Sequence, residues 1–150
     1  MDLNEKGVTL VELLVALALV SVVAVLAMTT FNIGVKYNIV ESTKTSMQQE
    51  SNLIVNTLMN IHRTEKCYEI ENTNTISIKV YDNKLCAEPF KKQISFDQSQ
   101  FNYQLLLETG TPQKIDPQDH NYSMILTIKD NNSSLENVYK TRIYRLNTTY

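Results

Sequence analysis

Several residue types are scarce in this chain of 150 residues, which has no tryptophan, three glycines, three prolines, two histidines and two cysteines. So little glycine and proline excludes a collagen-like chain and a proline-rich linker. It also leaves no glycine-rich phosphate-binding loop, and no nucleophile-elbow or dinucleotide-binding pattern occurs. We therefore predict that the chain is not an enzyme and that it holds no cofactor.

Metal ligands are equally scarce. The two histidines, His62 and His120, lie far apart, and neither has a cysteine nearby at a ligand spacing. A zinc site needs three or four converging ligands, so no metal site is predicted. His120 could join Asp116 and Asp119 in a weak cation site, but a solvated loop is the better interpretation of this segment.

Charge is balanced in the polar part of the chain. The net charge is −2, and thirteen basic and thirteen acidic side chains lie from Lys36 onward. A protein that binds nucleic acid without sequence preference carries a marked basic excess, so this class is disfavoured. The local exception is the basic and aromatic group near the end of the chain, formed by Lys140, Arg142, Tyr144 and Arg145. Such side chains can contact phosphates and stack on bases, although a solvated sheet face is the commoner origin of the pattern.

One long hydrophobic run extends from Val8 to Met28, and its only polar residues are Thr9, Glu12 and Ser21. At about 1.5 Å per residue the run can cross roughly 30 Å of hydrocarbon. The charged leader before it is too short for an ordinary secretory signal, and no small-residue cleavage pattern follows the run, so we expect the run to be retained. A carboxylate inside such a span costs about 2.5–3.5 kcal/mol, so Glu12 should have a partner or a function.

The helical pattern continues beyond the run. Nine positions follow one another at alternating spacings of four and three residues, which predicts one helix from Val8 to about His62. Gly34 is the expected site of a bend. The stripe is interpreted as a packing surface against the following domain, and not as a coiled coil. Its members are Ile33, Tyr37, Val40, Lys44, Met47, Ser51, Ile54, Leu58 and Ile61.

After Arg63 the period changes from helical to two. Strands are predicted at residues 76–80, 93–96, 101–107, 122–129 and 138–146, with a short return strand at 84–86 and a hairpin joining the last two. One long helix followed by several short strands predicts an α+β fold, in which the amphipathic part of the helix packs on a small antiparallel β-sheet.

The two cysteines, Cys67 and Cys86, both lie beyond the hydrophobic run and are separated by eighteen residues. If this part of the chain faces an oxidising exterior, a disulfide between them would stabilise it by about 3 kcal/mol. Two unrelated buried thiols are the alternative, and the even count favours the disulfide.

The segment Gly7–Leu17, which reads GVTLVELLVAL after Lys6, resembles the N-terminus of type IV prepilins and pseudopilins. These share a short charged leader ending in glycine, followed by a hydrophobic stretch with glutamate at its fifth residue. Gly7 and Glu12 stand at those positions. Two residues depart from the family pattern: Val8 replaces the usual phenylalanine after the cut, and Thr29 stands where major pilins often have a helix-kinking proline.

The resemblance implies a pilin-like fold and a defined maturation. A prepilin peptidase is expected to cut between Gly7 and Val8 and to N-methylate Val8. The implied organisation is a leader at residues 1–7, a transmembrane and filament-core helix at 8–30, an amphipathic half-helix at 31–62 and an exported β-rich head at 63–150. The mature helices would assemble into a filament core, where Glu12 pairs with the amine of a neighbouring subunit. Besides the peptidase, the implied partners are other pilins and an assembly platform. The implied location is the cytoplasmic membrane with the head outside, and a surface filament or pseudopilus after assembly.

The resulting functional hypothesis is a minor pilin or pseudopilin of a type IV filament-like machine, either a competence pseudopilus for DNA uptake or a type IV pilus. A type II secretion pseudopilin is an alternative, and so is a single-pass membrane-anchored sensor or binding protein. DNA contact by the head would form a second function.

Overall fold

The computed structural model describes residues 9–73, 75–107, 114–118 and 121–145. One long α-helix is followed by antiparallel strands, which confirms the predicted α+β class. The elements are α1 Leu10–Thr64, β1 Cys67–Asn72, β2 Ile76–Tyr81, β3 Phe90–Phe96, β4 Phe101–Leu107, β5 Lys114–Ile115, β6 Tyr122–Asp130 and β7 Glu136–Ile143. The chain divides into two compact units, residues 1–42 and residues 43–150.

The first unit contains the N-terminal part of α1, which is apolar on all sides. Its large apolar side chains between Leu10 and Met28 keep 54–74% of their surface exposed. The helix is uninterrupted at Gly34, where a bend was expected. By length and composition it is able to cross a membrane, with a mean hydropathy of 2.8 over its most apolar 18 residues.

Hydroxyl groups in this part of α1 are bonded within the helix. Ser21, Thr29 and Thr30 each donate a hydrogen bond to the carbonyl oxygen four residues earlier, at 2.8, 2.8 and 2.9 Å. A hydroxyl without a partner is costly in hydrocarbon, and this local bond removes that cost. These three hydroxyl groups are thus compatible with an apolar environment.

In the second unit, the last five positions of the predicted stripe are buried, at 0–2% exposure. They lie against the two sheets in one core, whereas the first four positions of the stripe are exposed or only partly buried. The packing interpretation of the stripe is confirmed for its second half. These buried positions are Met47, Ser51, Ile54, Leu58 and Ile61.

The strands form two antiparallel sheets, with orders β3-β2-β1-β5 and β4-β6-β7. In β4 and β6 every second side chain is buried, so one face of the second sheet covers the core. The sequence predicted one sheet. The chain instead forms two: β3 and β4, which a turn with a hydrogen bond from the Phe101 amide to the Gln98 carbonyl at 2.9 Å connects, lie in different sheets.

Several strand predictions need correction, and the strand predicted at 93–96 begins already at Phe90. No strand forms at residues 84–86, since a turn held by the Asn83 side chain occupies this segment: its amide and carbonyl groups both bond to the Ala87 backbone, at 2.8 and 2.9 Å. The last strand is Glu136–Ile143 rather than 138–146, and Leu146 lies outside the described residues. The prediction missed β1, whose sequence has two acidic residues, and the two-residue β5.

The predicted disulfide is present and joins Cys67 to Cys86, with a Cα–Cα distance of 5.5 Å. Cys67 opens β1, and Cys86 lies in the turn region after β2, at a positive φ of 49°. The bridge therefore ties the start of the first sheet to a segment without regular structure. Both cysteines are buried together with Tyr81.

Replacing both cysteines, as Cys67→Ser with Cys86→Ser, should lower the free energy of unfolding of the second unit by about 3 kcal/mol, because the bridge restricts the unfolded chain. Denaturant unfolding of the full chain in detergent micelles measures this change. Leu85→Ser is the matched control, since the Leu85 side chain is 83% exposed beside the bridge and should change stability little. Equal stability of the double variant and the wild type would contradict the prediction.

Candidate processing and assembly site

The first turn of α1 is closed by Thr9 and Glu12. The backbone amide and the hydroxyl of Thr9 both donate to Oε2 of Glu12, at 2.9 and 3.0 Å. The amide of Glu12 donates back to the Thr9 hydroxyl at 3.3 Å. This reciprocal arrangement is a capping box, in which the residue before the helix and the third helical residue satisfy each other's backbone groups.

The cap gives Glu12 a local role that was not predicted from the sequence. The signal was present, because Thr9-Leu10-Val11-Glu12 has the spacing of a capping box ahead of an apolar run. A carboxylate in the first turn also interacts favourably with the positive end of the helix dipole. Glu12 therefore helps to fix where the helix begins.

Among the described residues, the cap brings no cationic side chain to Glu12. Hydrogen bonds from Thr9 stabilise the carboxylate, but they bring no opposite charge. In a medium of low dielectric a single charge remains costly, and an opposite charge attracts it far more strongly than in water. Glu12 is thus suited to pair with a cation from outside its own helix. The predicted cleavage residues Gly7 and Val8, of which Val8 directly precedes the cap, lie outside the described residues.

The four head residues proposed for nucleic-acid contact do not form one group. Lys140 and Arg142 share the exposed face of β7, and Tyr144, just after the strand, is 45% exposed. Arg145 is instead partly buried, and its Nη1 donates to the carbonyl oxygen of Glu65, beyond the end of α1, at 3.4 Å. The structure therefore places Lys140 and Arg142 on one exposed face and gives Arg145 a structural contact.

A buried polar cluster at the end of α1 was also missed. His62 is fully buried, and its Nδ1 lies 3.0 Å from the hydroxyl of Tyr68, which is hydrogen-bonded to the hydroxyl of Tyr122. Burial raises the pKa of Tyr68 above its usual range and that of Tyr122 to about 12, so both hydroxyls stay protonated. Aromatic and imidazole groups in an apolar pattern give no sequence signal that distinguishes this network from ordinary packing.

Burial also lowers the pKa of His62 below its usual value of 6.5. The nearby Asn121 side chain opposes this lowering of the pKa, and the positive charge of Arg145 adds to it. The folded head therefore holds the neutral ring.

A second buried polar side chain of α1 lies on the side of the helix that carries the packing stripe. Glu50 is 6% exposed and accepts hydrogen bonds from Nε2 of Gln98 at 2.8 Å and from the Tyr103 hydroxyl at 3.0 Å. Burial and the bond to Glu50 raise the pKa of Tyr103. Glu50 thereby fixes the turn between β3 and β4 to the helix. Within the described ranges no group of three or more His, Cys, Asp or Glu is placed to hold a metal ion, and His120 and Asp119 lie outside them.

Acidification should destabilise the head through His62. Because the unfolded ring takes up a proton near pH 6.5 and the folded ring only at lower pH, the free energy of unfolding should fall below this pH, by up to about 2 kcal/mol at pH 5. Denaturant unfolding of the full chain in detergent at several pH values measures the change. His62→Gln should remove this component, whereas His120→Gln should keep it. The same pH dependence in His62→Gln and in the wild type would contradict the assignment.

Comparison with known families finds one match. Residues 2–28 match the prokaryotic N-terminal methylation motif, the class III prepilin signal of type IV pilins and pseudopilins. No curated protein and no solved structure matches the chain. The matched segment contains Gly7, Val8, the capping box and most of the apolar part of α1, and it ends before the head begins. The chain therefore carries the class III prepilin signal at its N-terminus and is similar in this segment to type IV pilins and pseudopilins.

Proposed function

We propose that the protein is a minor pilin or pseudopilin subunit of a type IV filament-like machine, either a competence pseudopilus for DNA uptake or a type IV pilus. The methylation motif carries this proposal, because it opens a helix whose apolar side chains are exposed on every side. An exported head on such a helix has the arrangement of a filament subunit. A type II secretion pseudopilin would share these features, and deletion followed by assays of transformation, piliation and secretion distinguishes the three machines.

Maturation would supply a cationic partner for Glu12. Cleavage between Gly7 and Val8 would create an N-terminal amine one residue before the cap, and methylation of Val8 would leave that amine able to carry a positive charge. In the membrane, the apolar side chains of α1 face lipid. In a filament they face other apolar helices, and this exchange changes the apolar environment little. The pairing of Glu12 with a neighbour's amine can therefore decide which subunits join and in what axial register.

The role of charge at Glu12 can be separated from its role in the helix cap. Glu12→Gln keeps an oxygen that can accept the bonds from Thr9 but removes the charge, and it should lower incorporation into filaments at least about tenfold, since the subunit amine then meets no carboxylate. Thr9→Ala weakens the cap while keeping the charge, and it should assemble nearly normally. Immunoblots of sheared filaments and of membrane fractions measure incorporation and insertion.

Normal membrane levels of both variants are the control for insertion. Assembly of Glu12→Gln at the wild-type level, together with loss of assembly in Thr9→Ala, would show that the cap and not the charge is required. Assembly of Glu12→Gln at the wild-type level is sufficient by itself to contradict the proposed pairing.

DNA contact by the head is a second candidate function, favoured by the exposed position of Lys140 and Arg142 on one face of β7 with Tyr144 after them. Two cations on a sheet face would neutralise about two phosphates, so the contact would be weak and strongly dependent on salt. Such an affinity suits a tip subunit that meets DNA together with other subunits, because linked weak sites bind more tightly than one site alone.

The double variant Lys140→Ala with Arg142→Ala should reduce retention of the full chain on immobilised duplex DNA in low salt, and it should lower the salt dependence by about two released counterions. Lys91→Ala with Lys92→Ala on β3 removes the same charge from another exposed strand and should leave retention nearly unchanged. An equal loss in both double variants would show that net charge alone is responsible, and absence of any salt-dependent retention by the wild type would end the proposal.

A further inference from the structure

The two sheets end in four edge strands among the described residues: β3 and β5 in one sheet, and β4 and β7 in the other. An edge strand exposes backbone N–H and C=O groups that can pair with another chain, and proteins usually protect such edges. The protection differs from edge to edge in this head, and it identifies the strand that is open to a partner.

The two edges of the first sheet are protected. β3 follows Pro89, carries the exposed lysines Lys91 and Lys92, and has a register irregularity opposite Val80 and Tyr81. Lysines and irregular pairing both discourage strand addition. The other edge, β5, is two residues long and offers too little backbone for a stable pairing.

The β4 edge of the second sheet is occupied by groups of the same chain. The amide of Phe101 donates to the Gln98 carbonyl at 2.9 Å. Further along, the side chain of Asn72 bonds to Leu105 as a neighbouring strand would. Its Nδ2 donates to the Leu105 carbonyl at 2.7 Å, and its Oδ1 accepts from the Leu105 amide at 3.3 Å. Asn72 thereby caps the outer edge of β4.

The β7 edge also carries exposed cations, Lys140 and Arg142, but unlike β3 it has no register irregularity and no preceding proline among the described residues. Its eight residues pair with β6 in one continuous register and include no proline. The backbone N–H and C=O groups of Leu105 point away from β6, so Leu105 and its partner in β6 form a pair without backbone hydrogen bonds. Bonded and unbonded pairs alternate in an antiparallel ladder. The backbone groups of the even-numbered residues of β6 therefore point toward β7. The bond from the Asp130 amide to the Leu135 carbonyl agrees with this alternation. The N–H and C=O groups of Glu136, Val138, Lys140 and Arg142 therefore point to the open side.

We propose that β7 pairs antiparallel with β7 of a second copy of this chain, about a twofold axis at Tyr139. This register places Glu136 opposite Arg142 of the second copy, and Val138 opposite Lys140 of the second copy. Each pairing occurs twice because the interface is symmetric. The two heads then share one six-stranded sheet with the order β4-β6-β7-β7-β6-β4.

Charge pattern selects the second copy as the partner. β7 begins with an acidic residue and ends with basic residues, so it is complementary to itself only when antiparallel. Opposite charges facing each other across strands stabilise pairing, and like charges destabilise it. The aliphatic stem of Lys140 covers Val138, which is 49% exposed in the single chain.

Neighbouring registers fit less well. Sliding the copies by two residues in one direction places Lys140 opposite Lys140 of the second copy. Sliding by two residues in the other direction leaves Arg142 beyond the partner strand and shortens the ladder. The register centred on Tyr139 pairs the longest run of β7, from Glu136 to Arg142, without facing like charges.

Cross-linking of the full chain in membranes tests the pairing. Val138→Cys adds a thiol on the exposed face, diagonal to its equivalent in the second copy, while the native cysteines are bridged. A short bismaleimide should give a species of twice the mass. Lys92→Cys, on the protected edge of β3, is the matched control and should give little of it. Labelling with a monofunctional maleimide confirms that both thiols react equally.

Charge reversal in the Val138→Cys background tests the register. Glu136→Lys and Arg142→Glu should each reduce the cross-linked species about tenfold, because two attractive pairs become repulsive. The combined variant Glu136→Lys with Arg142→Glu should restore it. In the single variant Glu136→Lys and in the combined variant alike, the lysine introduced at position 136 faces Lys129 of its own chain. Recovery of the cross-linked species therefore cannot come from improved folding of each head.

Absence of the Val138→Cys cross-link, or equal cross-linking of Lys92→Cys, would overturn the proposal. Failure of the combined variant to recover would overturn it as well. A loss in Lys140→Glu without a loss in Arg142→Glu would overturn this register.

Discussion

The exposed apolar surface of the first unit is the constraint on which the remaining features depend. Thirteen large apolar side chains between Leu10 and Met28 stay more than half exposed, and full burial of each would stabilise by about 1.5–3 kcal/mol. The total exceeds the roughly 2.5–3.5 kcal/mol that one carboxylate costs in a membrane helix. The helix can therefore carry Glu12 into lipid or into a bundle of helices, and its internally bonded hydroxyls add no further cost.

The second unit packs its part of the same helix into a protein core. Around the buried stripe, apolar side chains of both sheets form one core, and polar side chains of α1 are buried with it. Glu50 bonds to Gln98 and Tyr103, and His62 contacts Tyr68. These bonds fix the turn and the strands that leave the helix, so that the head is positioned by specific contacts as well as by apolar burial.

Periodicity predicted the parts of the fold that follow from repeated side chains. The spacing of the stripe from Met47 to Ile61 required a helix, and alternation along β4 and β6 required strands with one buried face. Periodicity did not predict β1, where Glu69 and Glu71 stand among the strand residues. It wrongly predicted a strand at 84–86, where the Asn83 side chain holds a turn. The division of the strands between two sheets also has no periodic signal in the sequence.

In the candidate site, too, some features could be predicted from the sequence and others could not. Glu12 was identifiable because a single carboxylate interrupts a long apolar run, and the capping spacing with Thr9 was readable in the sequence as well. The distinction between Arg142, which is exposed, and Arg145, which bonds to the Glu65 carbonyl, requires three-dimensional contacts. The buried His62 network also becomes visible only when α1, β1 and β6 are brought together.

The N-terminus of the mature protein provides the most direct test of the central claim that this chain is a processed filament subunit. Mass spectrometry of the protein purified from cells with an active prepilin peptidase should find a first peptide that begins with N-methylated Val8. Cells without the peptidase should yield the uncut chain with an unmethylated Val8 after Gly7. A leader retained up to Gly7 in cells with the active peptidase would contradict the account.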